Sequence, residues 1–244
     1  MTRTMMMGLS FDSSTDDYVV AFHHGLRMAL ATILLTFVLE VVSLRTVRDL
    51  LTKQTNGARL YRKALAANLL NHLVLGVPIY VASETLFCRN EDDDGAPSSL
   101  AWSLFRVLVI LVVHSVGYYY AHRTMHTRPG WYKFHAFHHR FKEFIPPSSA
   151  NAVGPVEYIL AYIVPFFLGT VLVRPYSAEL QAGVSIVSAC NLLVHTPAME
   201  AAGRKRHHNV LTTNYSAPTW NLDWMGMALR SGGSSRTVSD TKLE

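Results

Sequence analysis

The chain has 244 residues, 50% hydrophobic and only 16% charged. That length suits one good-sized domain, and a mean hydropathy of +0.17 excludes an ordinary soluble domain as the first reading. The formal charge is +5, but the basic residues sit between apolar runs, which points to a membrane surface and away from nucleic acid.

Residues 1–24 form a polar N-terminal segment. Arg3 is followed by no apolar core, and Asp12, Asp16 and Asp17 intervene, so the segment does not read as a signal peptide. Five stretches then approach the about 20 apolar residues that a spanning helix needs: 25–44, 64–87, 100–121, 155–173 and 178–195. Asn68, Asn71 and His72 interrupt the second. The soluble alternative is an all-helical core protein built from the same stretches. Residues 25–95 are read as N-terminal membrane helices, 100–229 as the functional domain and 230–244 as a disordered Ser/Gly/Thr tail. Cys88 and Cys190 are too few for a disulfide framework or a thiolate metal site.

Loop charge supports the membrane reading. Arg45 to Lys63 holds six Lys or Arg, His122 to Ala150 holds five, and Arg204, Lys205 and Arg206 follow the fifth stretch. The intervening loop "RNEDDDGAPSS" is acidic and "RPYSAE" nearly neutral. The positive-inside rule places the three basic regions in the cytosol. The fold expected is an all-α, multi-pass membrane bundle with a cytosolic histidine-rich cap.

Eight of the twelve histidines lie between 122 and 208. His122 and His126 are four apart, one face of a helix. His135, His138 and His139 are three and four apart, and Pro129-Gly130 between the clusters marks a turn. Two short helices aiming imidazoles into a shared gap are expected. His195, His207 and His208 arrive on the same side of the membrane. Crowded imidazoles repel when protonated and waste hydrogen bonds when neutral; divalent cations remove both problems. The His-Glu-x-x-His zinc hydrolase pattern fails, because Arg123 stands where the glutamate is needed. Eight nitrogens suit two ions, with iron, copper or zinc compatible, and paired redox metals direct attention to dioxygen chemistry. His72 and His114 read as core residues and His23-His24 as interfacial. Glu40, Arg106 and Glu157 lie inside apolar runs and are costly there unless paired.

The motifs "YYYAHRTMH" (118–126), "WYKFHAFHHRFKEFIPPSSA" (131–150) and "RHHNVLTTNYSAPTWNLDWMGMAL" (206–229) resemble those of the fatty acid hydroxylase / sterol desaturase superfamily, membrane non-haem di-iron oxidoreductases. The resemblance covers about residues 100–230. It implies His122, His126, His135, His138, His139, His195, His207 and His208 as metal ligands, two iron ions (or zinc in their place) as cofactors and dioxygen as co-substrate. It further implies a membrane lipid substrate (sterol, fatty acyl or sphingoid), hydroxylated or desaturated at a C–H bond at the cytosolic face of the endoplasmic reticulum. Electrons would come from a donor such as cytochrome b5 and its reductase, since the chain has no flavin or haem motif of its own.

The chain departs from the family pattern at Arg204 and Gly154, where histidines are usual, and at Ser115, where an acidic residue is common. Arginine cannot bind a metal, so His114 and Asn151 become candidate substitutes, and Asp223, with Trp220 and Trp224, a candidate orienting group. Two further readings stand beside the oxidoreductase. One is a lipid-binding or scaffolding member with an altered or absent metal site. The other is a membrane zinc hydrolase.

Overall fold

The computed structural model describes residues 15–89, 99–197, 215–217, 219–220 and 222, and among these the regular structure is helical, with no strand. The long elements are α1 (Thr15–Val42), α3 (Gly57–Leu69) running on into α4 (Val77–Phe87), α5 (Leu100–Thr127), and α7 (Pro155–Glu157) running on into α8 (Val164–Val173). Between α1 and α3 lies α2 (Leu44–Lys53), the four-residue α6 (Tyr132–His135) follows α5, and α9 (Ser177–Leu193) ends the described bundle.

Local chemistry sets the helix ends. Asp16 and Asp17 lie in the first turn of α1, where the helix dipole favours negative charge. Ser99 caps α5 by accepting the Trp102 N–H at 3.4 Å. At the start of α9, Glu179 reaches back to the Tyr176 N–H at 2.9 Å. Two π-helical segments, Leu70–Gly76 and Tyr158–Ile163, join the halves of the second and fourth long helices. Pro78 or Pro165 follows each within two residues. A proline supplies no N–H and its ring crowds the preceding turn, so a widened turn replaces the ordinary ladder there.

Four helical stretches are long and apolar enough to cross a membrane: 15–42, 57–87, 100–127 and 155–173. Their outward faces carry exposed Leu34, Phe37, Leu104, Leu108 and Leu172, as lipid contact requires. Three expectations are revised. The first helix begins at Thr15, inside the segment read as polar. Asn68, Asn71 and His72 do not interrupt the second span, which absorbs them in its π segment. The fifth stretch is a 17-residue helix and falls short of the other four in length. It nonetheless runs the height of the bundle, because Ser177 at its start touches Glu84 and Asn191 near its end touches Asn151. The expected tail at 230–244 lies outside the described residues.

α5 packs on α8 and α9, and α1 on α4 and α9. The α5–α8 contact depends on Gly117, where a Cβ would stand 2.7 Å from Pro165 Cγ. Polar ties close the end of the bundle away from the histidine cap. His24 Nδ1 and Ser177 Oγ each lie 2.8 Å from Glu84 Oε1, and Arg106 donates to Glu179 at 3.1 Å. At the other end α2 follows α1 with Val47 and Leu50 buried and Arg45, Arg48 and Lys53 exposed, as suits a helix lying in the interfacial plane.

Gly117→Val should drive Cγ methyls into Pro165. The expected cost is about 1–3 kcal/mol, read as a lowered thermal midpoint of the purified protein in detergent. The lipid-facing Leu104→Val should stay within about 0.5 kcal/mol of the parent.

Candidate metal centre

α5 extends past the membrane stretch and places His122 and His126 one turn apart near its last residue, Thr127. Gly130 then turns the chain at φ +77°, a left-handed conformation that glycine adopts without strain. The expected second helix is only the single turn of α6, ending at His135, followed by a 3-10 turn at His138–Arg140. The i,i+4 relation of His135 and His139 survives this change, and their Nε2 atoms are 2.8 Å apart.

Four imidazoles converge. His122 Nε2 lies 3.0 Å from His135 Nε2, and His139 Nε2 lies 3.1 Å from His126 Nε2. One nitrogen from each of His122, His126, His135 and His139 falls within 4.8 Å of every other. His122, His135 and His139 are buried and His126 is half-buried. Tyr132 rests beside His126 and His139 with ring centroids 6.0 and 6.1 Å away. Partial burial holds its phenol above the usual range, so it stays neutral.

The other ring nitrogens decide what this cluster can hold. His122 Nδ1 is 3.1 Å from the Tyr215 carbonyl, and His135 Nδ1 is 2.5 Å from Glu157 Oε1. A carbonyl only accepts, so His122 Nδ1 carries the hydrogen; an ionised Glu157 would put one on His135 Nδ1 as well. With those tautomers in neutral rings the two Nε2 lone pairs point toward each other at 3.0 Å. Such a contact is repulsive until a cation lies between the rings. A single proton would relieve one of the three Nε2–Nε2 contacts, whereas a divalent metal relieves them together. At a metal–nitrogen distance of about 2.1 Å, ligands at right angles stand about 3.0 Å apart and tetrahedral ones about 3.4 Å. The observed 2.8, 3.0 and 3.1 Å match the right-angle set. The residues present therefore fit a bound metal ion.

A second pair stands beside the four. His138 stacks on His135 with centroids 5.2 Å apart and meets His195 edge-on at 5.6 Å. His138 Nδ1 donates to the Ser149 carbonyl at 3.1 Å, and His195 Nδ1 to the Asn191 carbonyl at 2.8 Å. Their Nε2 atoms are thereby also left in the ligand tautomer, as oriented metal-site histidines are. His207 and His208 lie outside the described residues, as do Arg204, Asp223 and Trp224.

The groups that aim these rings rest on a buried segment that contains a short 3-10 helix, Pro147–Asn151. Every residue from Ile145 to Val153 is buried, so its polar groups need partners inside the protein. Glu40 accepts from the Ser148 N–H at 3.3 Å and from the Tyr61 hydroxyl. Asn68 donates to the Ser148 carbonyl at 2.9 Å, and Asn71 to the Val153 carbonyl at 3.0 Å. Asn191 donates to Asn151 Oδ1 at 3.0 Å. Polar residues of three membrane helices thus hold the segment whose Ser149 carbonyl aims His138.

The sequence reading asked for a partner for Glu157 but did not foresee its orienting role. It is 2% exposed and bonded to His135. The signal was the cost of a carboxylate in "PVEYILAYIV", which demands a specific partner. The candidate substitutes stand elsewhere. His114 is buried among Tyr118, Tyr162 and Phe166, and Asn151 is engaged by Asn191. Ser115 bonds to the Leu111 carbonyl and to Thr219, each at 2.7 Å. A Cβ at Gly154 would meet the Phe134 carbonyl at 3.5 Å. Trp220 is exposed.

Residues 107–226, which contain all eight histidines of the sequence reading, match the family model described as fatty acid hydroxylase. Over that stretch, just under half of its length, the chain is similar to that family. No solved structure matches it.

Glu157→Leu should lower metal affinity about 10–100-fold, measured by competition with a chromogenic chelator in detergent. Glu157→Gln, whose side-chain oxygen can still accept the His135 N–H, should lose less.

Proposed function

We propose that this protein is a membrane oxidoreductase that uses dioxygen and external electrons to hydroxylate or desaturate a lipid C–H bond. The observation that carries the reading is the convergence of His122, His126, His135 and His139, one nitrogen of each lying within 4.8 Å of every other. The family match and the membrane-crossing helices support the lipid as substrate class.

His122, His126, His135 and His139 would hold one iron, and His138 and His195 would contribute to a second with His207 and His208. Two irons, when bound, would supply the reduction of dioxygen and the removal of hydrogen from an unactivated carbon. The chain's own residues do the rest. Glu157 fixes the ring of His135. The Tyr215, Ser149 and Asn191 carbonyls fix the tautomers of His122, His138 and His195. The buried 145–153 segment keeps water from one side of the centre, and such exclusion strengthens every electrostatic interaction inside.

In this reading the histidines face the cytosol at the endoplasmic reticulum. Exposed Arg45, Arg48, Arg59, Arg62, Lys133 and Arg140 on the cap side support the orientation through the positive-inside rule. The same charges suit an acidic electron donor such as cytochrome b5.

Protein purified in detergent after iron-replete expression should carry about two irons per chain. Lipids of expressing cells should gain oxidised species that disappear with His135→Ala. Absence of bound metal would favour a lipid-binding or scaffolding descendant. Zinc, with turnover independent of dioxygen, would favour a hydrolase.

A further inference from the structure

A cavity of about 100 Å³ lies between α1, α4, α8 and α9, within the membrane-crossing part of the bundle. Ala29, Ile79, Phe166, Leu180 and Val187 give it apolar walls. Its polar end lies toward the metal centre. Tyr158 lines it there, next in sequence to Glu157, and so does Asn191, whose carbonyl aims His195.

The two π-helical segments meet at that end. His72 belongs to the first and Tyr158 to the second, and the Tyr158 hydroxyl is 3.5 Å from His72 Nδ1. Widened turns of this kind mark functional positions in helices. His72 is 9% exposed and lines the cavity, and its Nε2 is buried with no hydrogen-bond partner among the described residues. Its neighbours there are satisfied, Asn191 by Asn151 and Tyr162 by the Ala150 carbonyl. A buried, unpaired ring nitrogen beside an apolar cavity is costly unless a ligand completes it.

The lining defines the ligand. Among the described residues no lysine or arginine lines the cavity, so a carboxylate would stand uncompensated in hydrocarbon. An uncharged oxygen meets no such cost. We propose that this cavity takes the oxygen-bearing end of a lipid, a neutral hydroxyl or carbonyl hydrogen-bonded to His72 Nε2, while the hydrocarbon, too large for about 100 Å³, continues outside it along α1 and α9. Calling that lipid the substrate rests on the oxidoreductase reading; the binding itself needs no metal. The substrate class narrows to lipids presenting an alcohol, ester or amide, in place of a free fatty acid.

The test uses full-length protein in detergent, stripped of metal by a chelator and irradiated with diazirine-bearing lipids: a 3-hydroxysterol, a 1,2-diacylglycerol and a free fatty acid. The sterol, the diacylglycerol or both should label peptides within 72–83 or 158–170, and whichever labels identifies the source of the oxygen. Labelling should fall at least about fivefold in His72→Leu and stay within about twofold in His72→Gln, which keeps a hydrogen-bonding group. Ala29→Phe, which fills the cavity from α1, should lower it likewise. No label in those peptides, equal labelling by the free fatty acid, or labelling unchanged in His72→Leu would overturn the proposal. Such a failure with iron content and dioxygen-dependent oxidation intact would leave the oxidoreductase reading standing. Retained labelling in a protein that binds no iron would do the reverse.

Discussion

Two imidazoles whose outer nitrogens are already donating present bare lone pairs on their inner sides, and lone pairs held at hydrogen-bonding distance repel. His122 and His135 bring their Nε2 atoms to 3.0 Å, with His122 Nδ1 donating to the Tyr215 carbonyl and His135 Nδ1 bonded to Glu157. The arrangement makes sense around a cation, and much of the rest of the chain serves to keep it in place. α5 carries His122 and His126 at its end, Gly130 turns the backbone, and α7 brings Glu157 back beneath His135. Breaking any of these would let the rings turn apart and satisfy their nitrogens elsewhere.

The polar residues of the membrane helices follow from the same need. A carboxamide or carboxylate in an apolar span is costly unless it has a partner. Here the partner is the backbone of the 145–153 segment, which forms only a short 3-10 helix after Pro146 and cannot reach water. Glu40, Asn68, Asn71 and Asn191 take the role that solvent would play on a surface loop. The penalties for buried side chain and buried backbone offset each other, and the result is a rigid floor under the histidines.

Much of this was legible in the sequence. The four long apolar helices, the glycine turn at 130 and the i,i+4 pairs His122/His126 and His135/His139 follow from periodicity and turn chemistry, and the motifs carry the family resemblance. The rest depends on contacts between residues far apart in sequence. Asn68 and Asn71 looked like interruptions of a span because their acceptors lie some eighty residues later in the chain. Glu157 looked like an isolated charge because its partner comes from a different helix. The short α6 departed from the expected second helix because His138 turns to the Ser149 carbonyl, which a continuous helix would not allow. Neither π segment was visible as such, although Pro78 and Pro165 mark where an ordinary ladder must fail.

Glu40 also bears on how such a protein is assembled. Its two partners are separated in the order of synthesis: Tyr61 lies 21 residues downstream and Ser148 lies 108. A chain emerging from the ribosome can therefore cover the acid with the phenol almost as soon as the first hairpin forms. The later bond waits until the histidine segments have been made. The floor under the histidines therefore closes late, on an acid that was made among the first residues of the chain.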